Sequence, residues 1–381
     1  MPERSPSRSS GVADSDLSLF NPTRLTLARK RRGYTKTELA KRLGVIPRAV
    51  IAFEAGEYAP SEGTLAVIES VLGFPREFFS GDDLDEPDVL AVSFRSLTKM
   101  TAKHRDMANS QAALAIHLAK WLDDRFEIPL PDVPDLSQES VPEAAAESLR
   151  QQWGIGQLPV RNMIHLLEAK GIRVFSITVD AREVDAISTW KGSTPFIFLN
   201  SYKSAEHSRF DAAHELGHLV MHRHGGPQGK EAEAEANAFA SAFLMPRGSV
   251  LANVPRFATL PELRRLKKIW VVSVAALNHR LHELKVISDW HYRSLCIEIS
   301  KMGYRTHEPE EAPKESSLIL PKLLANLYQE DGFSRSRIAH ELRITLPELE
   351  NLLFSLVMTG LVGGRVIGTR KPGNPLLTRV K

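Results

Sequence analysis

The chain has 381 residues, a formal net charge of +3 and one cysteine, Cys296. That length predicts two or three domains, and the small charge excludes a global field that would draw in nucleic acid, so such a partner must be read from local charge. A single cysteine excludes an internal disulfide and a cysteine-rich zinc site, and it fits a reducing, cytoplasmic setting. The hydrophobic fraction of 43% and the charged fraction of 25% are ordinary for a water-soluble chain. No apolar run reaches the ~18 residues of a membrane span, so no membrane partner is expected. The first sixteen residues are rich in Ser, Arg and Pro and lack an apolar stretch, which reads as a disordered tail rather than a secretory signal.

In chain order, residues 20–80 read as short helices with tight turns. Asn21 and Pro22 open the first helix and Gly33 ends it. Thr35 and Glu38 have the spacing of a capping box, Leu39, Ala40 and Leu43 face inward, and Gly44 closes the second helix. Pro47 starts a third helix, and a fourth covers 61–72. Lys36, Leu39, Ala40, Gly44, Val45, Ile51, Phe53, Glu54, Gly56 and Pro60 together resemble the lambda-repressor-like (XRE) helix-turn-helix family. That resemblance implies a third helix that enters the major groove of DNA. The basic residues Arg29, Lys30, Arg31, Arg32, Lys36, Lys41, Arg42 and Arg48 are expected to meet phosphates, with Lys36, Lys41, Arg42 and Arg48 as the DNA-binding set. Two departures stand out: Lys36 replaces a usual glutamine, and the third helix presents Ile46, Pro47, Ile51 and Ala52. Arg48 is the only obvious base-edge donor expected on that helix. Helix-turn-helix proteins commonly read paired half-sites, which is compatible with a homodimer.

An acidic loop follows at 81–87, then a long amphipathic helix at 101–126 and a proline-marked crossing at 126–140. Helices are predicted at 144–153 and 160–170, and strands at 171–177, 185–190 and 195–200. The last of these is the candidate edge strand for an extended peptide.

The segment that follows contains Asp211-Ala212-Ala213-His214-Glu215-Leu216-Gly217-His218. On a helix, His214 and His218 share a face one turn apart and can hold one zinc ion, Zn2+, while Glu215 stands where it can take a proton from the attacking water. A third protein ligand is expected. His224 has one known spacing for it, but Met221 replaces the glycine that would turn the chain. His222 continues the histidine face. Glu233 and Glu235 lie on the next predicted helix, which the Gly225-Gly226-Pro227 turn folds back. Glu233, Ala236, Asn237 and Ala240 share one face, with small residues that permit close approach, so Glu233 is favoured as the ligand, Glu235 is the runner-up, and Asn237 is placed to orient a histidine.

Arg209-Phe210, Ala213-His214-Glu215-Leu216-Gly217-His218, Glu233, Ala236-Asn237, Phe239-Ala240 and Leu244-Met245-Pro246 resemble the ImmA/IrrE family of metallo-endopeptidases. The resemblance implies His214, His218 and Glu233 as metal ligands, Glu215 as general base, and a repressor-type protein as substrate. His222 and Tyr202 are candidate oxyanion donors, with a structural role favoured for both. Beyond 246 the chain reads as helical, with a charged linker at 308–314. A second helix-turn-helix-like pattern at 333–353 reads as an accessory packing module, followed by a glycine-rich basic tail. Cys296 reads as a core residue.

The expected fold is mainly α with a small β-sheet (α+β). The expected order is a tail (1–19), a helix-turn-helix DNA-binding domain (20–80), a helical connector (81–140), a zincin-like zinc metallopeptidase domain (141–250), a helical extension (251–310) and a C-terminal helical module (311–381). The expected function is a cytoplasmic transcriptional regulator fused to a zinc endopeptidase. The alternative is a transcription factor or antitoxin-like regulator whose peptidase fold only senses or binds.

Overall fold

The computed structural model describes residues 20–87, 101–178, 186–200, 202–224, 229–255, 257–353, 356–357 and 378–379. The N-terminal tail, the 225–227 turn and the glycine-rich tail lie outside the described residues. Among those described are 16 α-helices and a three-stranded sheet.

The first unit is built from α1 (Pro22–Arg31), α2 (Lys36–Leu43), α3 (Pro47–Ala55) and α4 (Glu62–Leu72), followed by a short 3-10 turn at Arg76–Ser80. Local chemistry sets its boundaries. Asn21 caps α1 through the Thr23 amide at 2.8 Å. The Thr35 hydroxyl accepts from the Glu38 amide at 3.1 Å, and the Glu38 carboxylate accepts from the Thr35 amide at 2.7 Å, so the capping box is complete. Gly44 ends α2 at φ 69°, a conformation that strains any residue with a Cβ. Leu25, Leu39, Ala40, Val50, Phe53, Ile68, Leu72 and Phe78 are buried between the helices.

The long α5 (Ala102–Asp123) packs on α1 and on the sheet. A two-residue strand, β1 (Phe126–Glu127), follows. The predicted crossing after it is irregular but anchored: Trp153 Nε1 donates to the Asp132 carbonyl at 2.9 Å, and the Leu136 amide donates to the Val220 carbonyl at 2.7 Å. Then come α6 (Pro142–Gln152) and α7 (Met163–Ala169), capped by Asn162 and therefore starting later than the apolar pattern predicted.

The sheet consists of β2 (Arg173–Ile177), β3 (Ala186–Lys191) and β4 (Thr194–Asn200), in the order β2-β4-β3. β4 pairs parallel with β2, Phe175 opposite Phe198, and antiparallel with β3, Ser188 opposite Ile197. This corrects the expected edge strand. Residues 195–200 form the central strand, whose main chain is engaged on both sides; β2 and β3 are the outer strands. Near-continuous burial along β4 fits a central position, where both faces are covered.

Against this sheet lies α8 (Ala205–Met221), and against α8 lies α9 (Lys230–Leu244), which also packs on α6. Further helices are α10 (Arg247–Asn253), α11 (Leu260–Trp270), α12 (Val274–Glu283), α13 (Asp289–Lys301), α14 (Ile319–Asp331), α15 (Arg335–Glu341) and α16 (Leu346–Leu353), and β5 (Thr378–Arg379) pairs antiparallel with β1. Cys296 is half-buried rather than a full core residue, its sulfur accepting from the Asn278 amide at 3.4 Å.

Residues 308–317 are not a free linker. Glu308 meets buried Lys267 at 3.1 Å, Glu315 pairs with buried Arg209 and accepts from the Met163 and Ile164 amides, and Glu168 accepts from Ser317 and from the Leu318 and Ile319 amides. Charge and proline content alone favour a solvated connector; buried cations on α8 and α11 draw these carboxylates inward. The C-terminal helices are packed in the same way. Glu348 on α16 is 2% exposed and pairs with Arg31 of α1, at 2.9 Å, and with Arg32 just beyond it.

Candidate metal centre and DNA-binding face

Ser204 caps the start of α8, its hydroxyl accepting from the His207 amide at 3.2 Å. One face, with Ala212, Ala213, Leu216, Leu219 and Val220, is buried. The helix therefore presents its histidines in a fixed direction. α9 approaches closely because Gly217 has no side chain: a Cβ there would stand 3.0 Å from the Phe239 ring.

The close approach brings three ligand-bearing residues together. The Nε2 atoms of His214 and His218 are 3.1 Å apart. Glu233 Oε2 lies 3.4 Å from His214 Nε2, and its Oε1 lies 3.5 Å from His218 Nε2. One donor atom from each of the three falls within 4.8 Å of the others. The outward nitrogens fix the tautomers. His214 Nδ1 donates to the Asn237 side-chain oxygen at 3.1 Å. His218 Nδ1 lies 2.8 Å from His222 Nδ1. With both protons on the outward nitrogens, two Nε2 lone pairs and a carboxylate face one point. Such a donor set repels itself unless a cation sits among it, and two imidazoles with one carboxylate suit zinc. The residues therefore fit a divalent metal.

Glu215, next to His214 on α8, is 2% exposed. The Ser188 hydroxyl on β3 donates to its Oε2 at 2.6 Å. Burial pushes the Glu215 carboxyl up to about 7, against the opposing pull of His214 and the Ser188 hydrogen bond. Burial pushes His218 down to about 4, so it is a neutral imidazole. Burial works against protonation of His214 too, but the Glu233 hydrogen bond and the charges of Glu215, Glu233 and Asp211 outweigh it, and its pKa is raised.

The remaining sequence candidates fall elsewhere. His224 is 63% exposed and pairs with Asp135 at 3.1 Å. Glu235 lies 2.9 Å from His222 rather than in the trio. Tyr202 is 62% exposed. Ser188 had no signal in the sequence, because only the fold brings β3 against α8. An alternating strand gives no reason to single out one serine.

In the first unit, Lys36, Lys41, Arg42 and Arg48 are all exposed. Lys36 is 3.3 Å from Glu54, and the Arg42 guanidinium lies 4.4 Å from the Tyr34 ring centroid. The wider basic set is corrected. Arg29 turns inward onto Glu54, Arg31 and Arg32 are held by Glu348, and Lys30 faces Asp106. Basic composition cannot distinguish a solvated arginine from one drawn into a core by a distant carboxylate. Ile46 and Ile51 on the third-helix face are 68% and 46% exposed.

Residues 25–79 match the family model described as Helix-turn-helix, and residues 167–282 match the one described as IrrE N-terminal-like domain, a metallopeptidase-type family. No curated protein matches the chain. No described helix is long and apolar enough to cross a membrane. The chain thus joins an XRE-type, DNA-binding helix-turn-helix domain to a following IrrE/ImmA-like, metallopeptidase-type domain.

Proposed function

We propose that this chain is a cytoplasmic regulator whose second domain is a working zinc endopeptidase that cleaves a repressor-type protein. The observation that carries the reading is the convergence of His214, His218 and Glu233 beside the buried Glu215. A domain that only sensed a ligand would have no use for a carboxylate in that position.

Zinc bound there would supply a Lewis acid for the scissile carbonyl and lower the pKa of the attacking water. The chain's own groups then divide the work. Ser188 occupies Oε2 of Glu215 and leaves Oε1 to take the proton from water and return it to the leaving amine. Asn237 holds the His214 ring by its Nδ1 proton. The edge strand β3, bearing Ser188, offers its outer main chain to an extended peptide, which would pair with it as an added strand. Trp190 Nε1 fastens that edge to the Leu219 carbonyl of α8 at 3.2 Å, so a bound peptide lies at a fixed distance from Glu215. Lys36, Lys41, Arg42 and Arg48 provide the contacts to DNA.

The test compares wild type with Glu215→Gln in cells, by sequencing newly formed protein N-termini, alongside metal analysis of both proteins. About one zinc in each, with a cleaved DNA-binding protein found only with wild type, supports the proposal. Zinc retained with no difference in N-termini would leave the second domain as a binding module. Absence of zinc after reconstitution would remove the mechanism altogether.

A further inference from the structure

The metal-facing trio leaves two titratable neighbours without a task. His222 stands at the C-terminal end of α8, one turn beyond His218, and its ring is 5.0 Å from the His218 ring, centroid to centroid. Glu235 lies on α9, two residues beyond Glu233. His222 bridges them: its Nδ1 is 2.8 Å from His218 Nδ1, and its Nε2 is 2.9 Å from Glu235 Oε2. The side chains of His222 and Glu235 are 11% and 25% exposed, so the chain of contacts is largely sheltered.

One proton arrangement satisfies every member. His218 directs its Nε2 lone pair toward the trio and donates from Nδ1; His222 accepts at Nδ1 and donates from Nε2; the Glu235 carboxylate accepts. The two metal-facing histidines are therefore supported differently. His214 is held by a neutral amide, whereas His218 is connected, through one imidazole, to a carboxylate.

We propose that His222 and Glu235 are positioning residues for the metal site, a two-step relay that fixes the His218 ring and makes it a stronger donor. The inference rests on the zinc reading above. A carboxylate behind a ligating imidazole favours the tautomer with its lone pair toward the metal and raises the ligand's basicity. The relay also explains why a histidine stands at the end of α8, one turn past the last ligand, and why Glu233 and Glu235 of α9 lie on different faces. Glu233 reaches the trio, while Glu235 reaches the helix end beyond it.

The experiment is competition for Zn2+ between the full-length protein and a chromophoric chelator, with Co2+ absorption spectra recorded in parallel. His222→Ala should weaken zinc binding about 10- to 100-fold, the cost typical of losing a partner that orients a ligand. Glu235→Gln should weaken it in the same direction by a smaller factor. The double variant should bind no more weakly than His222→Ala, because Glu235 reaches His218 only through His222. Both single variants should shift the Co2+ bands while far-UV circular dichroism stays native. Unchanged zinc affinity in a folded His222→Ala overturns the proposal, and so does a Glu235→Gln loss that persists in the His222→Ala background. Should His222→Ala fail to fold, unchanged affinity in Glu235→Gln overturns it. Wild-type zinc affinity in His218→Ala would instead show that the metal centre itself is wrongly placed, and the relay would fall with it.

Discussion

Gly217→Ala probes whether packing between α8 and α9 sets the metal centre. An added Cβ would stand 3.0 Å and 3.3 Å from two atoms of the Phe239 ring and 3.4 Å from Ala236 Cα. Phe239 is fully buried and stacks on Phe243, with centroids 5.6 Å apart, so its ring has no free space to enter. Overpacking of this kind costs about 1–3 kcal/mol. Alanine in a helix interior offsets about 1 kcal/mol of that relative to glycine. The net effect on stability is thus a loss of about 0–2 kcal/mol, small enough for the protein to stay folded. The metal site should respond more strongly. Phe239 and Glu233 belong to the same helix, so an outward shift of α9 draws Glu233 away from His214 and His218. Zinc affinity should fall about tenfold or more, as when a ligand loses its orientation. Chelator competition measures that loss and denaturant titration measures stability. Phe239→Leu in the same chain should recover part of the affinity by making room for the methyl group. If Gly217→Ala were about 1 kcal/mol more stable than wild type with unchanged zinc affinity, the close approach of the two helices would not govern the site.

Glu348→Gln should destabilise the fold by about 3 kcal/mol, because Arg31, 5% exposed, would keep a buried charge without its partner; denaturation followed by circular dichroism reads this, and a loss below about 0.5 kcal/mol would show that the pair is not desolvated. Arg48→Ala should weaken binding to a selected DNA site by about 1–3 kcal/mol. Replacing thymine by uracil in that site should also weaken binding, since Ile46 and Ile51 present apolar surface suited to thymine methyl groups; indifference to both changes, read by fluorescence anisotropy, would exclude this face from base contact. Glu168 is raised above its ordinary 4.5, mainly by burial and despite hydrogen bonds from Ser317, Leu318 and Ile319. The folded chain then holds a proton that the unfolded chain releases, so stability falls as pH rises from about 4.5 to the folded value and levels off above it. Denaturation at stepped pH should show that fall flattened in Glu168→Gln, and an unchanged slope would refute the assignment.

Local chemistry was legible in the amino-acid order. The capping box at Thr35 and Glu38, the left-handed Gly44 and the apolar faces of α1 to α4 follow from side chains within a few residues of each other. The four-residue spacing of His214 and His218 puts both rings on one helical face for the same reason. Glu233 was favoured over Glu235 because its face also carried Ala236 and Ala240, small enough for two helices to approach. What tertiary structure decided involves partners distant in sequence. Pairing order made residues 195–200 the central strand and put β3 on the outside, since strands of similar apolar content differ only in which neighbours they meet. The same holds for Ser188 on Glu215 and for Glu235 on His222. It holds for Arg31 and Arg32, whose charge reads as DNA-facing until Glu348, more than 300 positions away, withdraws them. A periodic pattern records which face of an element is apolar; only the packed fold determines which charge lies opposite it.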